Sequence, residues 1–253
     1  MIIKRTFSSA IGVAVMLFCP MVFSDDGLQL FHKMQQALGG AEKIAAIREF
    51  EQQVRAQSWN GTTGVLIGDV TKRTRWVRPN YLRVDQVGPG STYVLYFDGK
   101  SGWEILPGTE KAIDLAGGEL TFAKNYVRTF TLNMWLADRD PTFKITSPSP
   151  NVVRIADGDL SHQHDIKLDP ASWLPVQTNT MSGADPAQPV PREEIVTEWE
   201  TVQGIRFARH WTVFRSGLKV AEATLELTKL NGGLKLEDLA AKPSDSKPVL
   251  SSR

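Results

Sequence analysis

WVRPNYLRVDQVGPGSTYVLYFDGKSGW, residues 76–103, reads as consecutive antiparallel strands and carries no catalytic motif. Leu82 and Val84 alternate with Arg83 and Asp85, the period of two that sends successive side chains to opposite faces of a half-buried strand. Pro79-Asn80 and Gly88-Pro89-Gly90 punctuate that strand: proline fixes φ and removes a donor, and glycine supplies the φ > 0 positions of tight turns. Tyr93 to Phe97 is apolar on both faces and so predicts cover from both sides, a helix on one and something apolar on the other. Asp98-Gly99 is a strong hairpin signal, and Trp103 with Ile105 begins the returning strand.

The order of features here is Gly68-Asp69, Trp76-Val77-Arg78-Pro79-Asn80, an apolar strand, Asp98-Gly99-Lys100 and then Trp103. Over about 50 residues it resembles the periplasmic lipoprotein carriers of Gram-negative bacteria, the LolA-like superfamily; beyond that stretch the likeness is architectural. The LGGAEKIAAI segment at residues 38–47 departs from the standard carrier pattern and looks more like the relatives that share its fold.

The 253 residues suit one large β domain or two ordinary ones, and an apolar fraction of 42% is ample for a core. Residues 1–24 read as a signal peptide, with Lys4 and Arg5 as the basic region, Ala10 to Phe18 as the apolar region and Val22-Phe23-Ser24 as the cleavage site. A retained membrane anchor fits less well, because the apolar run is short and Pro20 interrupts it. The expected mature chain begins near Asp25 and is periplasmic. Cys19, the single cysteine, leaves with the signal, so no disulfide is expected; Phe18 stands where a lipidation signal needs a small residue. The full chain has 29 basic and 28 acidic residues, a balance without the basic excess of a nucleic-acid partner.

Gly27 to Arg48 reads as a helix interrupted at Gly39-Gly40, with Leu28, Phe31, Met34 and Leu38 on one face and Ile44, Ala45 and Ile47 in a second segment. Gly117-Gly118 opens what reads as one long helix, Glu119 to Ala137. Its stripe is Phe122, Tyr126, Phe130 and Met134 at intervals of four, flanked by Ala123, Val127 and Trp135. Such a stripe ordinarily covers a sheet; in the resembling carriers the helix at this place is a lid over its mouth.

Strands are expected at 49–58, 65–74, 143–146, 152–156, 163–168, 174–180, 193–201, 205–214 and 219–230, separated by short turns and by a Pro- and Gly-rich loop at 182–191. Ile195, Thr197 and Trp199 share a face, and Ile205, Phe207, Trp211, Val213, Ala223, Leu225 and Leu227 continue the dry side. One domain over residues 25–240 and a flexible tail over 241–253 complete the reading.

Gly99-Lys100-Ser101 lacks the earlier glycine of a phosphate loop and follows a hairpin, so no nucleotide cofactor is implied, and none other is. His162 and His164 lie two apart, as metal ligands on one strand face can, and are weak metal candidates that with Asp165 form the only hydrolase cluster to nominate. Glu193, Glu194, Glu198 and Glu200 read as solvated strand positions.

Arg78 shares a face with Trp76, where a guanidinium could simply snorkel over the indole. The resemblance implies instead a latch, in which this arginine reaches the lid helix and its hydrogen bonds hold an empty cavity shut. The expected fold is mainly β with helices (α+β), a curved antiparallel sheet forming an incomplete half barrel, closed by the N-terminal and 119–137 helices. The expected cavity and lid residues are Trp76, Leu82, Val84, Leu95, Phe97, Trp103, Phe122, Tyr126, Phe130, Met134, Trp135, Trp199, Phe207 and Trp211. What the resemblance implies is a non-enzymatic carrier of lipoprotein acyl chains or another lipid, receiving cargo from an inner-membrane transporter and passing it to an outer-membrane acceptor. An envelope sensor or interaction module of the same fold is the alternative, and a hydrolase a weaker one.

Overall fold

The computed structural model describes residues 26–109, 111–158, 162–182 and 189–242. The signal-peptide reading of residues 1–24, the tail beyond residue 242 and most of the 182–191 loop therefore lie outside the described residues.

Among those residues, thirteen strands form one antiparallel sheet, curved and not closed into a barrel. The chain enters through α1 (Asp26–Leu38) and α2 (Ala41–Ala45). It then meanders through β1 (Glu49–Trp59), β2 (Leu66–Val77), β3 (Tyr81–Gly88), β4 (Ser91–Phe97), β5 (Gly102–Ile105) and β6 (Ile113–Asp114) to one edge of the sheet. α3 (Gly117–Arg128), α4 (Thr131–Met134) and a single 3-10 turn, Ala137–Arg139, carry it to the opposite edge. From there β7 (Phe143–Ser149), β8 (Val152–Asp157), β9 (Gln163–Leu168), β10 (Pro175–Ser182), β11 (Val190–Val202), β12 (Ile205–Arg215) and β13 (Leu218–Leu230) return, and β13 pairs with β1 at the centre. Every other pairing joins strands that are neighbours along the chain, and only β1–β13 requires long-range closure.

One core fills the concave side. Phe31, Met34 and Leu38 of α1 meet Phe50, Trp76, Leu82, Leu95, Ile155, Leu168, Phe207 and Leu225 from the strands. α1 lies over β7, β8 and β12, and its approach is close at both ends. A Cβ on Gly27 would stand 2.4 Å from the Thr146 carbonyl carbon. At the other end Gly39, with φ +128°, sits where a Cβ would be 2.4 Å from the Gly204 carbonyl oxygen in the β11–β12 turn, so the double glycine ends α1 and also seats it. Leu28, placed by its spacing on the buried face, is exposed.

Tyr93 to Phe97 is covered on both faces. Leu95 and Phe97 join the main core, while Val94 packs on the convex side with Trp103, Ile105 and the half-buried Tyr96. The convex cover is completed by α5 (Leu236–Ala240), a helix too short to show in the sequence pattern, which rests on β3 and β4. Arg83, buried on that face, donates from Nη1 to the carbonyls of Leu239 at 3.1 Å and Ala241 at 2.6 Å, so α5 is fastened to β3 through the carbonyls at its C-terminal end.

Two irregularities correct the strand reading. Val54 pairs with Leu225 and Gln53 with Leu227, leaving Glu226 as an extra residue. This bulge reverses the facing of the strand beyond it, so Leu230 and not Leu227 enters the core. The expected single helix 119–137 is broken at Thr129-Phe130. Thr129 Oγ1 bonds back to the Asn125 carbonyl and Asn133 Nδ2 to that of Val127, a corner flanked by the β-branched Thr129 and Thr131.

Candidate functional site

The broken helix decides what the concave side presents. Because α3 ends before Phe130, the stripe at intervals of four does not survive: Phe122 is 48% exposed, and the buried face of α3 is Ala123 and Val127, with Leu120 and Tyr126 partly buried against the same core. Phe130 stands at the corner between α3 and α4 and points inward, its ring stacked on Trp76 at 5.5 Å between centroids and 28° between planes. From there the aromatic contacts run on. Phe130 meets Phe50 edge-on at 5.7 Å, Phe50 meets Phe207 at 5.6 Å, and Phe207 meets Trp135 at 5.6 Å. Met134 and Trp135 are buried beside them.

This places the expected cavity residues. Trp76, Leu82, Val84, Leu95, Phe97, Phe130, Met134, Trp135 and Phe207 lie together in one core, and Trp199 and Trp211 pack on it half-buried. Trp103 does not belong with them. It pairs with Tyr96 and so faces the convex side, where its Nε1 donates to the Ala240 carbonyl. Phe50, which bridges the two halves of the aromatic row, was not among the expected residues; its place on β1, two residues from the helix–strand junction, gave no signal beyond apolarity.

The segment 117–139, hereafter the lid, is tied at its rims by polar contacts. Lys72 Nζ donates to Tyr126 Oη at 2.9 Å, Gln35 Nε2 donates to the Trp135 carbonyl at 2.9 Å and to Asp138 Oδ1 at 2.8 Å, and Arg128 Nη1 reaches Asp157 Oδ2 at 3.2 Å. Asp157 also holds His162, with 2.7 Å from Nδ1 to Oδ2.

Beside the lid a void of about 450 Å³ remains, walled on its apolar side by Phe97, Val127 and Leu136. Its polar wall contains Arg78, Lys124, Arg128 and Arg139 with Asp140 as the acid. Arg78 Nε donates to the Ile47 carbonyl at 3.0 Å, and its Cζ stands 4.9 Å from the Trp76 ring centre. Both expectations for Arg78 are therefore modified: the arginine does cover the indole, but its hydrogen bond goes to the α2–β1 junction and not to the lid helix. Its Nη2 is buried without a hydrogen-bond partner among the described residues. Burial lowers the Arg78 pKa, and the like charges of Arg48 and Arg139 lower it further. Lys124 and Arg128 are four apart on α3, a spacing that puts them on one face; in the sequence that pair was indistinguishable from a solvated stripe.

At the far side of the concave face Glu104 is buried near Tyr93, 3.4 Å from its hydroxyl. Burial raises the pKa of both groups. No group of three or more His, Cys, Asp or Glu side chains placed to hold a metal, at His162 and His164 or elsewhere, is found among the described residues. Burial pushes His164 down to about 4.

No protein-family model and no curated protein matches the chain. Solved structures do. A DUF1329 family protein from Desulfovibrio piger is similar with a TM-score of 0.56 at 10% identity, over 86% of this chain and 97% of that one. A LolA superfamily protein from Nitrosomonas europaea gives 0.55 at 10% identity over 85% and 97%, and an outer-membrane lipoprotein-sorting protein domain from Vibrio parahaemolyticus gives 0.51 at 11% over 85% and 96%. At such identities the likeness is one of fold. The curved open sheet, the N-terminal helix and the helical cover between its two edges are those of the LolA-like fold.

Proposed function

We propose that the chain is a periplasmic carrier that shelters the acyl chains of a lipoprotein, or another lipid, between the concave sheet and the lid. The observation that carries this reading is the stacking of Phe130 on Trp76: the lid is held over the sheet largely by aromatic surface that an acyl chain can replace. With Phe130 displaced, the strip from Trp76 to Phe207 becomes an apolar trough. Each methylene buried there contributes about 0.8 kcal/mol, roughly fourfold in affinity. Binding and release of this kind need no catalytic group. The lipoprotein-sorting domain among the similar structures supports lipoprotein as the cargo; a membrane transporter as donor and an outer-membrane acceptor are what the resemblance in sequence adds.

The filled concave side also favours a second reading, an envelope sensor or interaction module whose core never opens. Native mass spectrometry with lipid extraction on protein purified from the periplasm without detergent separates the two. Co-purifying acyl species, or uptake of an offered diacylated peptide, is the carrier result. A mass that stays that of the bare chain with every acyl ligand offered is the result for the interaction module.

A further inference from the structure

The wall of the 450 Å³ void concentrates four cationic side chains, Arg78, Lys124, Arg128 and Arg139, against one carboxylate, Asp140. Arg139 pairs with Glu42 and Arg128 with Asp157, but Arg78 has no carboxylate partner and Lys124 has no ion pair among the described residues. Asp140, the acid of the wall, is already committed: its Oδ1 accepts from both the amide and the hydroxyl of Thr142. Arg78 thus combines three costs: a half-buried charge, a buried Nη2 with no acceptor, and repulsion from Arg48 and Arg139. An anionic oxygen group in the void offsets the half-buried charge and the repulsion from Arg48 and Arg139, and a guanidinium fork is shaped for carboxylate and phosphate. Phe97, Val127 and Leu136 form an apolar wall of the same void, so a head group held there has its chain directed along the underside of the lid.

We propose that this void is a head-group site, binding the carboxylate or phosphate of an anionic acyl amphiphile through Arg78 and Lys124. The inference rests on the carrier reading and narrows its cargo from any acyl chain to one with an anionic head. Anchoring the head beside the lid orders loading: the head docks at the basic mouth first, and the chain then displaces Phe130.

The test uses titration calorimetry on the mature chain with dodecyl phosphate, dodecanoate, neutral dodecanol and inorganic phosphate, the amphiphiles kept below their micellar concentrations. Dodecyl phosphate and dodecanoate are expected to bind at least tenfold tighter than dodecanol, and inorganic phosphate far more weakly than dodecyl phosphate. Lys124→Ala and Arg78→Met should each remove most of the anion preference, Lys124→Ala leaving dodecanol binding unchanged, and raising the salt concentration should reduce that preference in the unaltered protein. Equal binding of dodecanol and dodecyl phosphate, insensitive to Lys124→Ala, overturns the head-group site while sparing the carrier reading. Inorganic phosphate binding as tightly as dodecyl phosphate overturns the amphiphile assignment, since the anion is then bound free of any chain. Failure of all the amphiphiles overturns both.

Discussion

Phe130 lies stacked on Trp76 at the point where the lid turns from α3 into α4, so the corner of the lid is itself an aromatic contact with the sheet. Val127, Leu132, Met134, Trp135 and Leu136 bury the rest of the lid in the same core, and the polar contacts at its rims add to that hold. Phe50 adds an edge-on contact to the Phe130 ring.

Phe130→Ala should therefore cost about 3–4 kcal/mol of stability, the usual range for emptying a buried phenylalanine site. A denaturant titration measures it. The same variant should make residues 117–139 the first site of limited proteolysis, whereas an equally destabilising change in α1 should not.

Arg78→Met should change stability by less than about 1 kcal/mol, because the lost bond to the Ile47 carbonyl is offset by removal of a half-buried charge that has an unpaired donor. If Arg78 holds the α2–β1 junction against the lid's rim, exchange of a bound acyl probe will be several-fold faster in this variant. Unchanged exchange by stopped-flow fluorescence would remove Arg78 from the gate.

Arg83→Met acts on the opposite face. It leaves the Leu239 and Ala241 carbonyls without their donor and should cost about 2–3 kcal/mol. Hydrogen exchange should accelerate at 236–241, and acyl binding to the folded protein should stay as it was, since α5 packs on the convex side, against β3, β4 and Trp103 of β5.

Acid should destabilise the protein in a window set by His164. Burial holds its folded pKa at about 4, against the ordinary 6.5; Glu194 and Asp165 oppose that shift, while His162 and Arg192 add to it. Between those values the unfolded chain takes up a proton that the folded chain excludes. The contribution is intact above pH 6.5 and is lost as the pH falls toward 4, amounting to about 2–3 kcal/mol. His164→Gln should flatten that part of the stability–pH curve.

The strands were legible because period-two alternation and Asp-Gly, Gln-Gly and Ser-Gly turns mark them locally, and neighbouring strands in a meander pair with each other. What escaped depends on geometry that spacing does not encode. Four apolar residues at intervals of four describe one continuous helix, yet Thr129 and Thr131 around Phe130 let the backbone turn, and Phe122 went to solvent. Trp103 lies on a four-residue strand whose facing follows from its pairing with Tyr96 and not from its own neighbours. The bulge at Glu226 displaced Leu227 without any glycine or proline to announce it. Of the basic mouth only Arg78 was visible, through its motif, because Arg139 and Lys124 reach the void from a turn and a helix that the sequence keeps far apart from it.

The central claim is that the lid moves off the sheet to admit an acyl chain. Hydrogen exchange of the chain from residue 25, with and without a saturating diacylated peptide, tests it most directly. The account predicts that ligand changes exchange at least tenfold within 117–139 while β1, β2 and β13 keep their protection. Ligand bound with the lid's exchange unaltered, or protection changed only on the convex face around α5, would contradict it.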